Sequence, residues 1–336
     1  MDFRVGDDQR RLAEGIRSML AGRLPLERVR AREGDERAIA AEDWAALGET
    51  GVFALTLPEP AGTGLGLADA VIVFEELGRA LVPGPLVGTF LAAAAGLVDG
   101  AAEGRASVGV YCAGRPEPVL VEHLGSLDAL LVLDAGGPPQ LLAPAPSGGA
   151  RRAAHPLDPL TPLWQLRSIP FGGTVPGDDG RLWRDGALLT AALQVGHAAE
   201  VLDRAVAYAK ERHQFGKPIG SFQAVKHLCA DMLVRAEVAR AAVHAAACLA
   251  DEPDVAAAEA ASAGGAPGQL LERSVSGAKL LADEAALVNA RAAIQVHGGM
   301  GFTWEVPLHL HLKRSRLLST TFGTPAELAA ALAVSA

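Results

Sequence analysis

The chain has 336 residues, a formal net charge of −9 and a sequence pI near 5.5. This length can bury a sizeable core and hold more than one domain-sized unit. Only 4% of the residues are aromatic, and the abundance of alanine and glycine indicates closely packed helices. The acidic balance and the lack of a basic tract argue against a nucleic-acid partner, because phosphate backbones are bound by clustered lysine and arginine.

The sequence also indicates a compartment. The N-terminal stretch MDFRVGDDQRRLAEG is charged from its start and lacks the apolar core of a secretory signal. Apolar windows such as 187–202 are too short and too interrupted to cross a bilayer. Cys112, Cys229 and Cys248 show no pairing pattern, as in a reducing compartment. We therefore expect a cytoplasmic protein without a membrane segment.

Residues 1–104 are predicted to form an N-terminal helical domain. Apolar residues between Leu12 and Leu20 recur at helical spacing, and a second short helix around Trp44 is expected to end at Gly51. A longer helix should follow the glycine-rich segment at 62–66.

That glycine-rich segment, Gly62, Gly64 and Gly66, has two interpretations. A phosphate-binding loop would need a preceding strand and a following Lys-Ser or Lys-Thr pair, and the sequence has neither. A turn that leads into a helix is the better interpretation. The apolar spacing extends that helix to Leu81, and Pro83 and Pro85 are expected to end it.

Residues 105–185 are predicted to form a reduced middle β domain. Short runs of β-favouring residues are separated by Gly, Pro and Asp turns. These runs are SVGVYC, PVLVEH, DALLVLD, PQLLAP and WQLRSI. The turn-rich segment GDDGRLWRDG at 177–186 is interpreted as a bridge into the C-terminal helices.

Residues 186–336 are predicted to form a C-terminal helical bundle. Apolar residues recur at spacings of three and four over 188–209 and again over 225–243, which indicates two long helices. Gly216 and the proline two residues later interrupt this pattern, so the two helices should lie antiparallel around a cationic loop. Ser221 is expected to cap the second helix.

The rest of the bundle follows from similar signals. A flexible break is expected at 261–269, and the third long helix, 271–295, should stop at Gly298. Residues 307–318 suggest a fourth helix. The segment 324–327, Thr-Pro-Ala-Glu, is a capping box that announces the last helix. The predicted fold is therefore mainly α with a small β domain.

Two stretches closely resemble signatures of the acyl-CoA dehydrogenase family. The first is ERHQFGKPIGSFQAVKH, the loop between the two long helices, and the second is AIQVHGGMGFTWEVPLHLHLKRSRL from Ala293. The resemblance implies an N-terminal helical domain, a middle β domain and a C-terminal four-helix bundle. It also implies FAD-dependent α,β-dehydrogenation of an acyl-CoA thioester: a carboxylate removes the α-proton and FAD accepts a hydride from the β-carbon. An electron-accepting redox protein is then an expected partner.

The resemblance assigns the first FAD contacts to Arg212, Phe215 and Gln223. In the family, the matching residues meet the FAD of a neighbouring subunit. A guanidinium offers charge and paired donors to diphosphate oxygens. The residues alone favour a plainer role for Arg212, as a cation at a helix C-terminus.

A second set of FAD contacts is implied at Gln295, Gly298 and Gly299. Glycines let backbone N–H groups approach a phosphate, and the glutamine amide can bond the nucleotide. The same glycines also suit an ordinary helix C-cap, and both roles are compatible. Thr324 matches a family residue near the adenosine part of FAD, while its capping role needs no ligand.

The sequence departs from the family at the catalytic base. The position that usually holds a glutamate before Gly-Thr is Phe322, which cannot accept a proton. At the other base position known in the family, Asp185 lies one residue from the aligned site, although a turn would equally explain it. Glu327 is interpreted as part of the capping box. The middle domain also lacks the Thr-Glu-Pro…Gly-Ser-Asp loop that holds the flavin ring in the family.

His309 and His311 are not expected to bind a metal, because residues two apart lie on different faces of a helix. The three cysteines have no neighbouring catalytic motif and are interpreted as packing residues.

These departures resemble the short, base-deficient subunits of actinobacterial heteromeric acyl-CoA dehydrogenases that oxidise CoA thioesters of steroid side chains. The leading hypothesis is therefore a base-lacking subunit that shares a flavin site with a second, acyl-CoA dehydrogenase-like chain. One alternative is a self-sufficient homo-oligomer that uses Asp185 or an unrecognised base. The other is a non-enzymatic scaffold that has lost FAD, although the two intact motifs weigh against it.

Overall fold

The computed structural model describes residues 4–334 except 116, 117, 135, 136, 179, 253, 255, 256 and 259–267. The α-helices of this part are α1 (Asp7–Arg23), α2 (Leu26–Arg30), α3 (Ala41–Glu49), α4 (Leu67–Arg79), α5 (Leu86–Ala94), α6 (Arg181–Glu211), α7 (Gln223–Asp251), α8 (Gln269–His297), α9 (Leu308–Leu318) and α10 (Pro325–Val334). The strands are β1 (Val108–Cys112), β2 (Val119–Glu122), β3 (Ala129–Leu133), β4 (Gln140–Leu142), β5 (Arg151–Arg152), β6 (Leu163–Leu166), β7 (Gly173–Thr174), β8 (His213–Gln214) and β9 (Lys217–Pro218). Most of the break predicted at 261–269 lies outside the described residues.

The N-terminal helices follow the predicted pattern with one difference. Helix α3 contains Trp44. Helix α4 begins directly after Gly66, whose N–H donates to the Asp69 carboxylate at 3.2 Å. The prediction that α4 reaches Leu81 is wrong: the helix ends at Arg79, and Leu81 has a φ of 54°. The proline at 85 then precedes α5, because proline is tolerated at the start of a helix.

Two small sheets lie between the two helical regions. One has the order β1-β3-β4-β7, with β1 parallel to β3, and the other is antiparallel in the order β2-β6-β5. Both sheets bury side chains in one apolar cluster that includes Val121, Leu130 and Leu166. Side chains on β2 alternate, so Leu120 and Glu122 share the face opposite to that cluster.

The bridge predicted at 177–186 is partly helical. Helix α6 starts at Arg181, after Gly180 with a φ of 87°, and the Asp178 carboxylate accepts a hydrogen bond from the Leu182 N–H at 3.1 Å. This side chain satisfies a free N–H group of the first helical turn. Asp185 is therefore a helical residue, and its interpretation as a turn residue is wrong.

Helix α6 packs closely on α4 because both helices carry a glycine at the contact. A Cβ atom added at Gly78 would lie 2.2 Å from the Leu193 carbonyl oxygen, and one at Gly196 would lie 2.1 Å from the Glu75 carbonyl oxygen. No side chain fits at either position. The two glycines thus fix how α6 lies against the N-terminal helices.

The loop between α6 and α7 differs from the prediction at one point. Its residues form the two-residue hairpin β8–β9 and a short 3-10 turn, and α7 begins at Gln223 with Phe222 at the N-cap. No side chain caps this helix, so the prediction that Ser221 would cap it is wrong. The apolar face of α7 buries residues such as Met232 and Val243, as its spacing predicts.

The ends of the last helices match their signals. Gly298, with a φ of 58°, follows α8. The capping box before α10 is formed: the Thr324 N–H donates to Glu327 Oε2 at 2.7 Å, and the Glu327 N–H donates to Thr324 Oγ1 at 3.3 Å. These hydrogen bonds satisfy backbone groups at the start of α10.

Candidate functional site

The first candidate site lies at the end of the bundle where α6 and α8 both terminate. The rings of Tyr208 in α6 and His297 in α8 stack with centroids 4.1 Å apart and planes inclined by 16°. The Arg212 N–H, at the end of α6, donates to the Tyr208 carbonyl at 2.8 Å, and Gly298 directly follows His297. The structure therefore brings the loop motif and the glycine motif to the same end of the molecule.

The residues of this end, which we call the cradle, face outward from the chain. Its members are Arg212, Phe215, Gln223, Gln295, Gly298 and Gly299, and all of them are exposed. A Cβ atom added at either of the last two glycines would meet nothing within 4 Å. The cradle therefore has an open surface, a cation and an amide side chain, which suit a phosphate-bearing nucleotide.

Large aromatic side chains are exposed within the two motifs that supply the cradle. Phe215 is 91% exposed and has a φ of 54°, while Phe302 and Trp304 are 78% and 56% exposed. Exposed aromatic side chains are typical of surfaces that a ligand or a partner covers.

The second candidate site lies at the opposite end of α6, around Phe322. This ring is buried and packs edge-on against Trp183, with centroids 5.6 Å apart. A Cβ atom added at Gly186 would lie 2.3 Å from the phenyl ring, and the Phe322 N–H donates to Cys112 Sγ at 3.3 Å. Phe322 therefore fills the space between the start of α6 and β1.

The other two residues proposed near this end have structural partners. Thr324 Oγ1 donates to Glu327 Oε2 at 2.9 Å, and Glu327 also pairs with Arg115 at 3.2 Å. Asp185 is buried and accepts a hydrogen bond from Arg181 Nε at 3.2 Å. Burial raises the pKa of Asp185 to about 6 against the opposing effect of nearby arginines.

The two ends of α6 are too far apart to meet within one chain. Helix α6 has 31 residues, which corresponds to a length of roughly 46 Å at 1.5 Å per residue. Asp185 and Phe322 lie near its start, whereas Arg212 lies at its end. A cofactor that touches both sets of residues therefore needs two chains.

A cavity of about 320 Å³ adjoins Phe322, roughly twice the 150 Å³ cavity that takes up benzene in an engineered core. It lies among the segment before α5, the strands β1 and β2, the middle of α6 and the end of α9. Its walls are mostly apolar, with Leu86, Leu120, Leu193 and Leu317 among them. A cavity of this size and lining suits an acyl group.

Six ionisable side chains on the cavity wall were not predicted from the sequence as site residues. They are Tyr111, Arg115, Glu122, His123, His197 and Arg314. They come from four different segments of the chain, so no local motif indicates them. Asp185, which the sequence did suggest, is not among the described residues that line this cavity.

A buried ion pair anchors the polar part of the cavity. Arg314 Nε donates to the Asp158 carboxylate, and Arg314 Nη1 donates to the Val82 carbonyl at 3.2 Å. Burial alone would raise the pKa of Asp158, but Arg314 and the hydrogen bonds from Thr161 and Leu160 outweigh it and lower the pKa. The pair joins α9 to the middle region and to the segment that follows α4.

A buried histidine pair lies next to the cavity. His197 Nδ1 and His311 Nδ1 are 3.0 Å apart, and both residues are almost fully buried. Burial lowers the pKa of His197 to about 3 and that of His311 well below its ordinary value. Both rings are therefore neutral at pH 7, so one Nδ1 donates and the other accepts.

We expect the buried neutral histidines to make the fold sensitive to acid. Burial also lowers the pKa of His123 to about 3, so below pH 6.5 the unfolded chain binds protons that the folded chain does not. At pH 5, His123 and His197 should each lower the free energy of unfolding by about 2 kcal/mol. Urea unfolding between pH 7 and pH 5 measures this loss. The carboxyls of Glu122 and Asp185, with pKa values raised to about 6, act in the opposite sense between pH 6 and pH 4.5.

A comparison of variants separates these effects. His123 has a φ of 57°, so His123→Asn is suitable because asparagine tolerates this region. This variant should lose less stability on acidification than the parent chain. His155→Gln is the control, because His155 is exposed. An equal acid sensitivity in all three proteins would contradict the prediction.

The helical bundle and the two small sheets define a mainly α-helical fold, with the exposed cradle at one end of the bundle. Family models match both helical regions: "Acyl-CoA dehydrogenase, N-terminal domain" covers residues 6–105, and "Acyl-CoA dehydrogenase, C-terminal domain" covers residues 184–333. The chain belongs to the acyl-CoA dehydrogenase family.

Similar proteins agree with this assignment. The chain is 36% identical to acyl-CoA dehydrogenase IpdE2 of Mycobacterium tuberculosis over 96% of this chain and 95% of that protein. It is 35% identical to IpdE2 of Mycolicibacterium smegmatis over 96% and 97%. Among solved structures, a variant of the Tcur3481–Tcur3483 steroid ACAD is 25% identical, covers 98% of each chain and has a TM-score of 0.80. The predicted fold is thus confirmed.

Among the described helices, none combines the length and apolar character that crossing a bilayer requires. Over the same residues, no group of three or more His, Cys, Asp and Glu side chains is arranged to hold a metal ion.

The described residues fit one end of FAD, the cofactor that the family implies. The open backbone at Gly298 and Gly299, with Arg212 and Gln295 beside it, fits the nucleotide end. At the flavin-ring end, the segment after β1 lacks the family's Thr-Glu-Pro…Gly-Ser-Asp loop. Arg115, which lies in this segment, pairs with Glu327.

Proposed function

We propose that this chain is the base-lacking subunit of an FAD-dependent acyl-CoA dehydrogenase that works as a hetero-oligomer. One observation carries the proposal: Phe322, at the usual base position, is buried against Gly186, while the cradle is open and exposed. The chain has therefore kept the surface that would meet a cofactor in trans and has lost the family's proton acceptor in cis.

The roles of this chain's residues follow from that arrangement. Arg212 would neutralise the diphosphate, Gln295 would bond the nucleotide, and the backbone at Gly298 and Gly299 would approach the phosphates. Phe215 would cover the cofactor and exclude water, and Gln223 would add a polar contact at the start of α7. FAD, when bound, supplies the hydride acceptor.

The partner would be a second chain of the same family that carries the missing glutamate. The solved structure with two gene products in its name, Tcur3481–Tcur3483, supports an assembly of two different chains. That protein is a steroid ACAD, which supports a bulky acyl-CoA, such as a steroid side-chain thioester, as the substrate class. An electron-accepting redox protein would reoxidise the reduced flavin.

The visible absorption spectrum tests the proposal. We expect no bound flavin when the chain is purified alone and stoichiometric flavin after co-expression with a longer family member that has the glutamate. Flavin bound by the chain alone, with dehydrogenase turnover, would support the self-sufficient alternative instead. Absence of flavin from both preparations would favour the scaffold alternative.

The self-sufficient alternative has its own requirement. Asp185 would have to leave Arg181 and reach a substrate that lies in a cavity it does not line. Its raised pKa suits a general base, but its position does not. The scaffold alternative leaves the exposed cradle and the exposed aromatic side chains of its motifs without a purpose.

A further inference from the structure

The cradle residues come from the ends of three different helices. Arg212 follows α6, Gln223 starts α7, and Gly298 follows α8. One ligand can contact all of them only if the three helices keep a fixed position relative to one another, because a site recognises a ligand through groups that are already in place. The contacts that set this position must lie deeper in the bundle, between the helices themselves.

Apolar packing between these helices sets their position only loosely. The apolar cluster at this end of the bundle includes small or flexible side chains from all three helices, among them Ala205, Ala209, Met232, Ala290 and Ala293. Apolar attraction is non-directional, and small side chains interlock less than large ones. Directional contacts are therefore needed to fix how far each helix is shifted along its neighbours.

One buried side chain makes directional contacts to two neighbouring helices. Asn289 of α8 is 0% exposed, and its Nδ2 donates to the Met232 carbonyl of α7 at 2.9 Å and to the Ala198 carbonyl of α6 at 3.3 Å. Its Oδ1 accepts a hydrogen bond from Arg235 Nη1 of α7 at 3.0 Å. Both amide protons and the amide oxygen thus have partners, and one side chain joins all three helices.

Asn289 works together with a second directional contact between α6 and α8. The first contact is the hydrogen bond from Asn289 to Ala198, and the second is the ring stack of Tyr208 on His297. Along each helix the two contacts lie roughly two to three turns apart. Two contacts separated in this way fix both the shift and the tilt of the helices, whereas one contact would fix the shift alone.

We propose that Asn289 is a positioning residue for the nucleotide contacts of the cradle. The inference rests on the proposed function, in which the cradle meets FAD held by a partner chain. The buried amide touches no ligand itself, but its hydrogen bonds hold the three helices at the shifts that bring Arg212, Gln223 and Gly298 to one nucleotide. A buried asparagine sets the register of packed helices in the same way in coiled coils, at some cost in stability.

The affinity of the assembled complex for FAD tests the proposal. The chain is co-expressed with a longer family member, the flavin is removed, and FAD is titrated back while its fluorescence is followed. Asn289→Leu keeps the approximate size of the side chain but loses its hydrogen bonds to both helices. We expect its dissociation constant for FAD to rise about 10-fold, within the range that changes in a supporting network produce. Arg235→Met leaves the two carbonyl contacts in place and should raise the constant less.

A matched control separates positioning from simple destabilisation. Thr89 of α5 is 0% exposed, and its Oγ1 accepts a hydrogen bond from the Val108 N–H at 3.0 Å. Thr89→Val should lower stability to urea, as Asn289→Leu does, because both changes remove buried hydrogen bonds. Its affinity for FAD should stay at the parent value, because α5 contributes nothing to the cradle.

A second measurement needs no cofactor. The chain has two tyrosines, Tyr111 and Tyr208, so the full chain labelled with 3-fluorotyrosine gives two 19F resonances. The variant Tyr111→Phe identifies the resonance of Tyr208. Because the Tyr208 ring centroid lies 4.1 Å from that of His297, its chemical shift depends on the stack. We expect this resonance to move in Asn289→Leu and to stay in place in Thr89→Val.

The outcomes distinguish this inference from the proposed function. Parent affinity for FAD in Asn289→Leu, or an unchanged Tyr208 resonance, overturns the positioning role and leaves the proposed function standing. An equal loss of affinity in Thr89→Val also overturns it, because any destabilising change would then have the same effect. A parent complex that takes up no FAD overturns the proposed function, and the 19F result then still decides whether Asn289 sets the position of α6 against α8.

Discussion

Replacement of Arg212 by alanine should empty the flavin site of the assembled complex. A charged hydrogen-bond partner of a phosphate is worth about 1.5–3 kcal/mol, so the affinity for FAD should fall about 10- to 150-fold. In this chain the Arg212 side chain is exposed. Its loss should therefore leave the fold intact while it removes the proposed contact with the diphosphate. The ratio of flavin to protein absorbance in the purified complex measures the effect.

Two matched variants make the Arg212 result interpretable. Lys210→Ala removes an exposed cation from the last turn of the same helix and should leave flavin content unchanged. Arg212→Lys keeps the charge but loses the paired donors, so it should give an intermediate content. Equal losses in Lys210→Ala and Arg212→Ala would show that only the general positive charge of the loop matters. Full flavin occupancy in Arg212→Ala would show that Arg212 does not contribute to flavin binding.

Replacement of Asp283 by asparagine should destabilise the chain severely. Lys279 and Asp283 are both 0% exposed and pair within α8 at 2.6 Å. Gln194 of α6 donates to the same carboxylate at 2.9 Å, and Lys279 Nζ donates to the Leu318 carbonyl at 3.1 Å. Burial lowers the pKa of Lys279 and raises that of Asp283, and the pairing opposes both shifts.

Removal of one partner leaves the other charge buried without compensation, which costs about 3–5 kcal/mol. Urea denaturation should show this loss in Asp283→Asn. The double variant Lys279→Met with Asp283→Leu should recover most of the stability, because apolar groups of similar size can replace a buried ion pair. A loss below about 1 kcal/mol in Asp283→Asn would contradict the prediction.

A surface pair provides the control. Asp7 and Arg10 pair at 2.6 Å with side chains 80% and 60% exposed. Asp7→Asn should therefore change the unfolding free energy by less than about 1 kcal/mol, because water screens exposed ion pairs. The contrast between the two pairs would show that burial, and not pairing itself, sets the energetic effect.

The buried pair also bears on the candidate site. Leu318, which accepts from Lys279, ends α9, and the segment that follows carries Phe322 into the wall of the cavity. Gln194 connects the same carboxylate to the middle of α6. The pair therefore helps to hold the cavity between the sheet and the bundle.

Sequence patterns predicted most of the elements because their causes are local. The spacing of apolar residues over 188–209 predicts α6, and Gly298 and the Thr324–Glu327 capping box mark helix ends through contacts a few residues apart. Where a cap failed, at Ser221, the helix began one residue later than a capping serine would require. Asp185 was misjudged for a similar reason: Gly180 and Asp178 start α6 earlier than the turn-like composition suggests.

The cradle could be predicted from the sequence only in part. The two motifs that form it are visible in the sequence, and the resemblance to the family assigns their residues. The stacking of Tyr208 on His297, which holds the two motifs together, is a contact between helices that neither motif contains.

The sequence by itself determined the family, the helical periodicity and the missing glutamate at Phe322, because each of these is written in neighbouring residues or in a motif. Only the tertiary structure decided that Phe322 fills the space against Gly186 and that Glu122 faces the cavity. It also decided that the cradle lies at the far end of α6 from Phe322. Those features depend on how distant segments pack. The periodicity of a helix or strand sets the direction of each side chain, but the fold decides which neighbour that side chain contacts.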